Sequence, residues 1–140
     1  MVARALTAFH ERLYRASGGR LGGRIAGMPV LLLSTTGRKT GRRHTTPLTY
    51  TTDGDDLVLV ASYGGDDRHP AWYLNLAAHP LVEVERGGGV DQFMARTATP
   101  EEKARLWPGV VATYKGYAEY QRKTQRDIPL VILEPQSSRG

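Results

Sequence analysis

Apolar positions along the chain fall mainly into short runs bounded by glycine and proline, the pattern of several short strands. The first run differs. Val2, Leu6, Phe9 and Leu13 recur at helical spacing, with Arg4, Glu11, Arg12 and Arg15 roughly opposite, which predicts an amphipathic helix over residues 2–16. Five glycines within residues 17–27 predict a loose connector.

Strands follow. Pro29-Val30-Leu31-Leu32-Leu33-Ser34 is a continuous apolar run, as expected of a strand buried on both faces. Residues 44–52 are rich in Thr and Tyr and predict a second strand, with Pro47 pointing to an edge position or a bulge. Asp53-Gly54 signals a hairpin into a third strand over Leu57–Ser62. After a polar loop at 63–68, a short helix is expected over 70–78, with Pro70 at its first position and Pro80 stopping it. Strands at 81–85 and 90–95 are joined by Gly87-Gly88-Gly89. Thr99-Pro100-Glu101-Glu102 reads as a capping box opening a helix that Pro108-Gly109 breaks or bends. A second helical segment reaches about Gln125, and Pro129–Leu133 is a closing strand.

About six mostly antiparallel strands with helices inserted between them predict an α+β fold built on a small closed or split β-barrel. A glycine-rich βαβ opening is absent, which argues against a Rossmann sheet. The expected organisation is an N-terminal helix and connector over 1–27, a barrel domain over 28–135 and a disordered tail over 136–140.

Composition narrows the chemistry. At 140 residues one domain with an ordinary core is expected. With no cysteine, disulfides, thiolate catalysis and cysteine-ligated metals are excluded. The chain shows neither a secretory signal nor an apolar run near the roughly 20 residues of a membrane span, so a cytoplasmic protein is expected. The net charge of +5 is uneven: residues 1–44 hold nine Arg and Lys against Glu11 alone, and residues 45–140 hold ten against thirteen acidic side chains. The positive end suits an anionic ligand, an anionic bilayer or nucleic acid. The helix at 2–16 can pack on the domain or lie on the inner face of the cell membrane.

Four groups could carry a site. Between two strands, Gly37-Arg38-Lys39-Thr40-Gly41-Arg42-Arg43-His44 forms a basic turn able to cradle a phosphate or carboxylate, or simply a solvated hairpin. Its spacing is not that of a Walker loop. Trp72 and Asn75 share one face of the short helix, an aromatic plate beside an amide that can wall a flat heterocycle or belong to the core. Ser62-Tyr63-Gly64-Gly65 ends a strand where a ring could approach the backbone, or is an ordinary strand exit. Tyr114, Tyr117 and Tyr120, three apart, form a fan that could donate a proton, wall a quinone-like ring or pack at an interface. The histidines show no metal-site spacing and Gly-x-Ser-x-Gly is missing, so the inventory favours cofactor chemistry.

Leu-Leu-Ser-Thr-Thr-Gly-Arg-Lys-Thr-Gly (32–41), Pro-Ala-Trp-Tyr-Leu-Asn-Leu (70–76), Trp107-Pro108, the tyrosine fan, Asp127-Ile128-Pro129-Leu130-Val131 and Glu134-Pro135 resemble the deazaflavin-dependent nitroreductase family from about residue 28 to 135. The resemblance implies a split β-barrel that binds coenzyme F420, an 8-hydroxy-5-deazaflavin with a phospholactyl-oligoglutamate tail. It implies hydride transfer to a small-molecule acceptor: a quinone, nitroaromatic or activated enone. Arg38, Lys39, Thr40 and Gly41, with Arg42 and Arg43 beside them, would meet the tail. Ala61, Ser62 and Tyr63 would line the deazaflavin, Trp72 and Asn75 would close the pocket, and Tyr114, Tyr117 and Tyr120 would stand on the substrate side, with Ser62 near the reactive edge. Thr49 and Tyr63 replace a tyrosine and a lysine of the nitroimidazole-activating member, so that activity is not carried over. A flavin-mononucleotide split-barrel oxidoreductase and a non-catalytic membrane- or nucleic-acid-binding module are the alternatives, nucleic acid being the less expected partner.

Overall fold

A computed structural model of the chain describes residues 24–25 and 28–136, so the helix expected over 2–16 and the end of the tail lie outside the described residues. The elements are β1 (Arg24–Ile25), β2 (Met28–Thr36), β3 (Arg43–Thr49), β4 (Thr51–Asp53), β5 (Asp56–Val60), a 3-10 turn (Tyr63–Gly65), α1 (Ala71–Ala78), β6 (Leu81–Arg86), β7 (Gly89–Thr97), α2 (Pro100–Thr113), α3 (Gly116–Lys123) and β8 (Leu130–Pro135).

All pairings are antiparallel, and the sheet runs β1-β2-β6-β7-β8-β5-β4, with β3 on β2. The strand expected over 44–52 is in fact two pieces interrupted at Tyr50. Its first half pairs with β2 (Leu32 opposite Pro47) and its second with β5 (Thr52 opposite Leu57). This one bent segment therefore links β2, near one end of the path, to β5, near the other, and the sheet curls into a split barrel. Pro47 sits where β3 has β2 as its only partner among the described residues, so its missing N–H disturbs no ladder.

Alternation along the strands sorts the core. Leu57 and Leu59 of β5, Val131 and Leu133 of β8 and Leu31 and Leu33 of β2 point inward with Phe93, Trp72 and Leu76. Val58 and Leu130 face the other way and pack with Met28, Val110 and Tyr117 beneath α2 and α3. Six successive residues of β2, Val30 to Thr35, are buried, which explains its unbroken apolar run. Each fully buried Leu is worth about 2 kcal/mol.

The helices depart from expectation in two details. Pro70 is the N-cap of α1, one position before the helix, and α2 runs through Pro108 to Thr113 without a break. Pro108 and Ala104 lie on the exposed side, where water can satisfy the carbonyl that a proline leaves unpaired. The capping box at the start of α2 forms as expected: Thr99 Oγ1 accepts from Glu102 N–H at 3.1 Å, and Glu102 Oε1 accepts from Thr99 N–H at 2.9 Å. Arg96 of β7 donates to the same Glu102 carboxylate at 2.7 and 2.8 Å, tying α2 to the barrel. Within the expected connector, Arg24–Ile25 form a two-residue strand on the start of β2. Among the described residues no helix is long and apolar enough to cross a membrane.

Candidate functional site

The basic turn is shaped by its backbone. Gly37 N–H donates to Arg42 O at 2.7 Å, Gly41 N–H donates to Gly37 O at 2.8 Å, and Arg42 N–H donates to Thr40 Oγ1 at 3.2 Å. The Gly41 amide is thus committed inside the turn, and Gly41 supplies instead a φ of 74° that closes it. A side chain at Gly37 would meet His44 Nε2 at 2.8 Å, so glycine is required for the histidine to fold over the turn.

Asn75, buried in α1, organises this turn from below. Its Oδ1 accepts from Arg38 N–H at 3.1 Å and from Arg38 Nη1 at 3.3 Å, while its Nδ2 donates to Thr35 Oγ1 at 3.4 Å. Arg38, Lys39 and Thr40, together with His44, Thr46, Trp72 and Asn75, line a cavity of about 320 Å³. Arg43 does not join them, because it reaches across to Glu83 of β6 at 2.7 Å. Arg42 contributes its backbone, and its exposed side chain lies outside the cavity lining.

A second cavity of about 390 Å³ adjoins the first, with Trp72 in the lining of both. Its apolar floor is Met28, Leu48, Leu59 and Val60, and its rim holds Ser62, Tyr63, Gly64 and the three tyrosines. The fan expected from sequence assembles although Tyr114 precedes α3 and only Tyr117 and Tyr120 lie within it. Ring centroids are 5.1 Å apart for Tyr114–Tyr117, 6.2 Å for Tyr114–Tyr120 and 6.3 Å for Tyr117–Tyr120. The Tyr114 and Tyr120 hydroxyls are 3.3 Å apart, and the Tyr117 hydroxyl is 2.8 Å from Thr49 Oγ1. Burial pushes the Tyr117 phenol above its usual range, only partly offset by the Thr49 bond. The bond to Tyr114, then burial, raises Tyr120. Both phenols are therefore protonated at neutral pH.

Ala61 lies in the barrel core rather than on the cavity surface. Ser62 is buried at the rim, whereas Tyr63 is half exposed, with the Arg68 guanidinium 5.6 Å above its ring. Sequence reasoning passed over Thr46 and Leu48, though alternation along β3 from His44 was a usable signal. Arg126, which braces the rim from behind, carried no motif at all.

An apolar slot for a flat ring, with Trp72 as a wall shared with a cationic pocket for acidic groups, fits a deazaflavin with an anionic tail. Residues 6–135 match the family model described as F420H(2)-dependent quinone reductase. The chain belongs to the F420H2-dependent quinone reductase family. As such it is an F420-dependent oxidoreductase acting on a small-molecule acceptor. A curated F420H(2)-dependent quinone reductase of Mycobacterium tuberculosis is 46% identical to it over 132 residues, covering 91% of this chain and 89% of the relative. A solved F420-H2 dependent reductase is 42% identical with a TM-score of 0.69, covering 76% of this quinone-reductase-family chain and 94% of that one. Another solved chain, described as a domain-swapped dimer, is 38% identical with a TM-score of 0.72, covering 90% and 96%.

Proposed function

We propose that the chain reduces quinones with F420H2 in the two neighbouring cavities, the basic pocket holding the cofactor's acidic tail and the aromatic cleft holding ring and acceptor. The observation that carries this reading is the sharing of Trp72 by two cavities of opposite chemistry. When bound, reduced F420 supplies a hydride, two electrons in one transfer.

The protein's own residues bind, orient and protonate. Arg38 can grip a phosphate or carboxylate bidentately while Lys39 adds a mobile charge, and the Asn75 amide aims the Arg38 backbone and guanidinium. Trp72 separates tail from ring. Tyr120, its phenol raised and paired with the Tyr114 hydroxyl, donates a hydrogen bond to one carbonyl oxygen of the acceptor and a proton as the oxygen becomes a hydroxyl, then recovers it from solvent. Tyr117, more deeply buried and engaged with Thr49, acts as a wall. Met28, Leu48, Leu59 and Val60 give a bound ring an apolar surface to lie on. Nitroaromatics and activated enones, also flat and electrophilic, fit the same slot.

Mixing tests this directly. The protein should quench F420 fluorescence and ignore flavin mononucleotide and duplex DNA. Arg38→Ala and Lys39→Ala should each weaken F420 binding by about tenfold or more while leaving the melting temperature nearly unchanged. Equal losses of binding and stability would assign the two side chains to the fold instead.

A further inference from the structure

Arg126 sits in the connector between α3 and β8, outside the lining of either cavity. Its guanidinium nevertheless reaches one segment four times. Nε donates to Asp66 O at 2.9 Å, Nη2 donates to Ala61 O at 3.1 Å and Ser62 O at 2.9 Å, and Nη1 lies 3.2 Å from His69 Nδ1. A guanidinium can only donate, so His69 Nδ1 accepts and the imidazole proton resides on Nε2.

The segment it holds is conformationally costly. Tyr63, Gly64 and Gly65 have φ of 47°, 64° and 85°, three successive residues in the left-handed region, the first of them carrying a bulky side chain. Such a run persists only where its surroundings over-determine it. Ser62, Tyr63 and Gly64 on this run form part of the cleft rim. Other ties are weaker or lie at its edge: Lys123 Nζ stands 3.5 Å from Gly64 O, and Thr124 Oγ1 donates to Asp67 at 2.7 Å.

We infer that Arg126 is a positioning residue of this site: its planar fork holds residues 61–66 in the strained shape that forms the cleft rim. It acts through that segment without touching the acceptor. A lysine keeps the charge but offers one point of attachment, so it cannot serve four acceptors spread along the loop. What the rim surrounds rests on the proposed function; the clamp itself is a property of the chain.

The test compares Arg126→Lys and Arg126→Gln with the unaltered protein by amide hydrogen exchange in the absence of any ligand. The Gly65 and Asp66 amides, bonded within the turn to Ser62 O at 2.9 Å and Tyr63 O at 3.1 Å, report its integrity. Both variants should exchange these amides about tenfold faster or more, leave the Gly37 and Gly41 amides unchanged, and lower F420H2-driven kcat for a short-chain quinone by about tenfold to a hundredfold. Wild-type exchange in the lysine variant would overturn the inference, as would faster exchange with undiminished turnover. If the unaltered protein reduces no quinone, the proposed function fails on its own, and the exchange comparison still decides the clamp.

Discussion

Thr49 Oγ1 and the Tyr117 hydroxyl lie 2.8 Å apart, joining β3 to α3 across the mouth of the aromatic cleft. Tyr117 is 7% exposed, so its hydroxyl has little water to turn to. Thr49→Val keeps the shape and removes the partner. It should lower stability by about 1 kcal/mol and raise the Tyr117 phenol further, since the bond to Thr49 is what pulls that phenol down. Ultraviolet titration of the variant would read the phenol, and a thermal melt the stability.

Asn75 and Arg38 should behave as a unit. Because one amide oxygen accepts both the backbone and the guanidinium donors of Arg38, Asn75→Ala is expected to weaken F420 binding through a misplaced arginine. The double variant with Arg38→Ala should bind little worse than Arg38→Ala alone, a coupling of about 1 kcal/mol or more. Additive losses in fluorescence titration would show that Asn75 meets the cofactor independently.

Two glycines with similar φ should respond differently to alanine. At Gly54 (φ 62°) nothing lies within 4 Å of a new Cβ, so only the backbone penalty of about 1 kcal/mol applies. At Gly65 (φ 85°) the Cβ would sit 3.0 Å from Tyr120 O and 3.1 Å from its Cα. Gly65→Ala should therefore destabilise by about 2 kcal/mol or more and also displace the tyrosines. Denaturant melts of the two variants would rank them.

Acid should loosen the rim through His69. Burial first, and the neighbouring Arg126 second, hold this imidazole below its usual range, so the unfolded chain takes up the proton more readily. Its contribution to stability is complete above the unfolded value of about 6.5 and is lost as pH falls through the lower folded value. His69→Asn, whose side-chain oxygen can still accept from Arg126, should flatten the fall in melting temperature between about pH 7 and pH 5.

The strands, their hairpins and the capping box were legible because each rests on local signals: alternation, Asp53-Gly54, paired glycines, Thr99 with Glu102. The split barrel itself was legible too, but not its pairing, since the break at Tyr50 decides which partner each half of one apparent strand takes, a non-local matter. Arg24–Ile25 escaped notice inside a glycine-rich stretch because two residues carry no period. Of the cationic cluster, sequence could not tell that Arg43 turns away to Glu83 while Arg38 turns toward Asn75. Arg126 was invisible because its acceptors are backbone carbonyls, which every residue type supplies.

Trp72, as the partition common to both chambers, has a practical consequence for anyone retuning this enzyme. Under the proposed placement, trimming it would loosen the seat of the nucleotide-like carrier and widen the berth of the oxidant at once, so one readout could not be adjusted without the other. Leu48 and Thr49 border the aromatic cleft alone, so changes there would leave the basic pocket untouched.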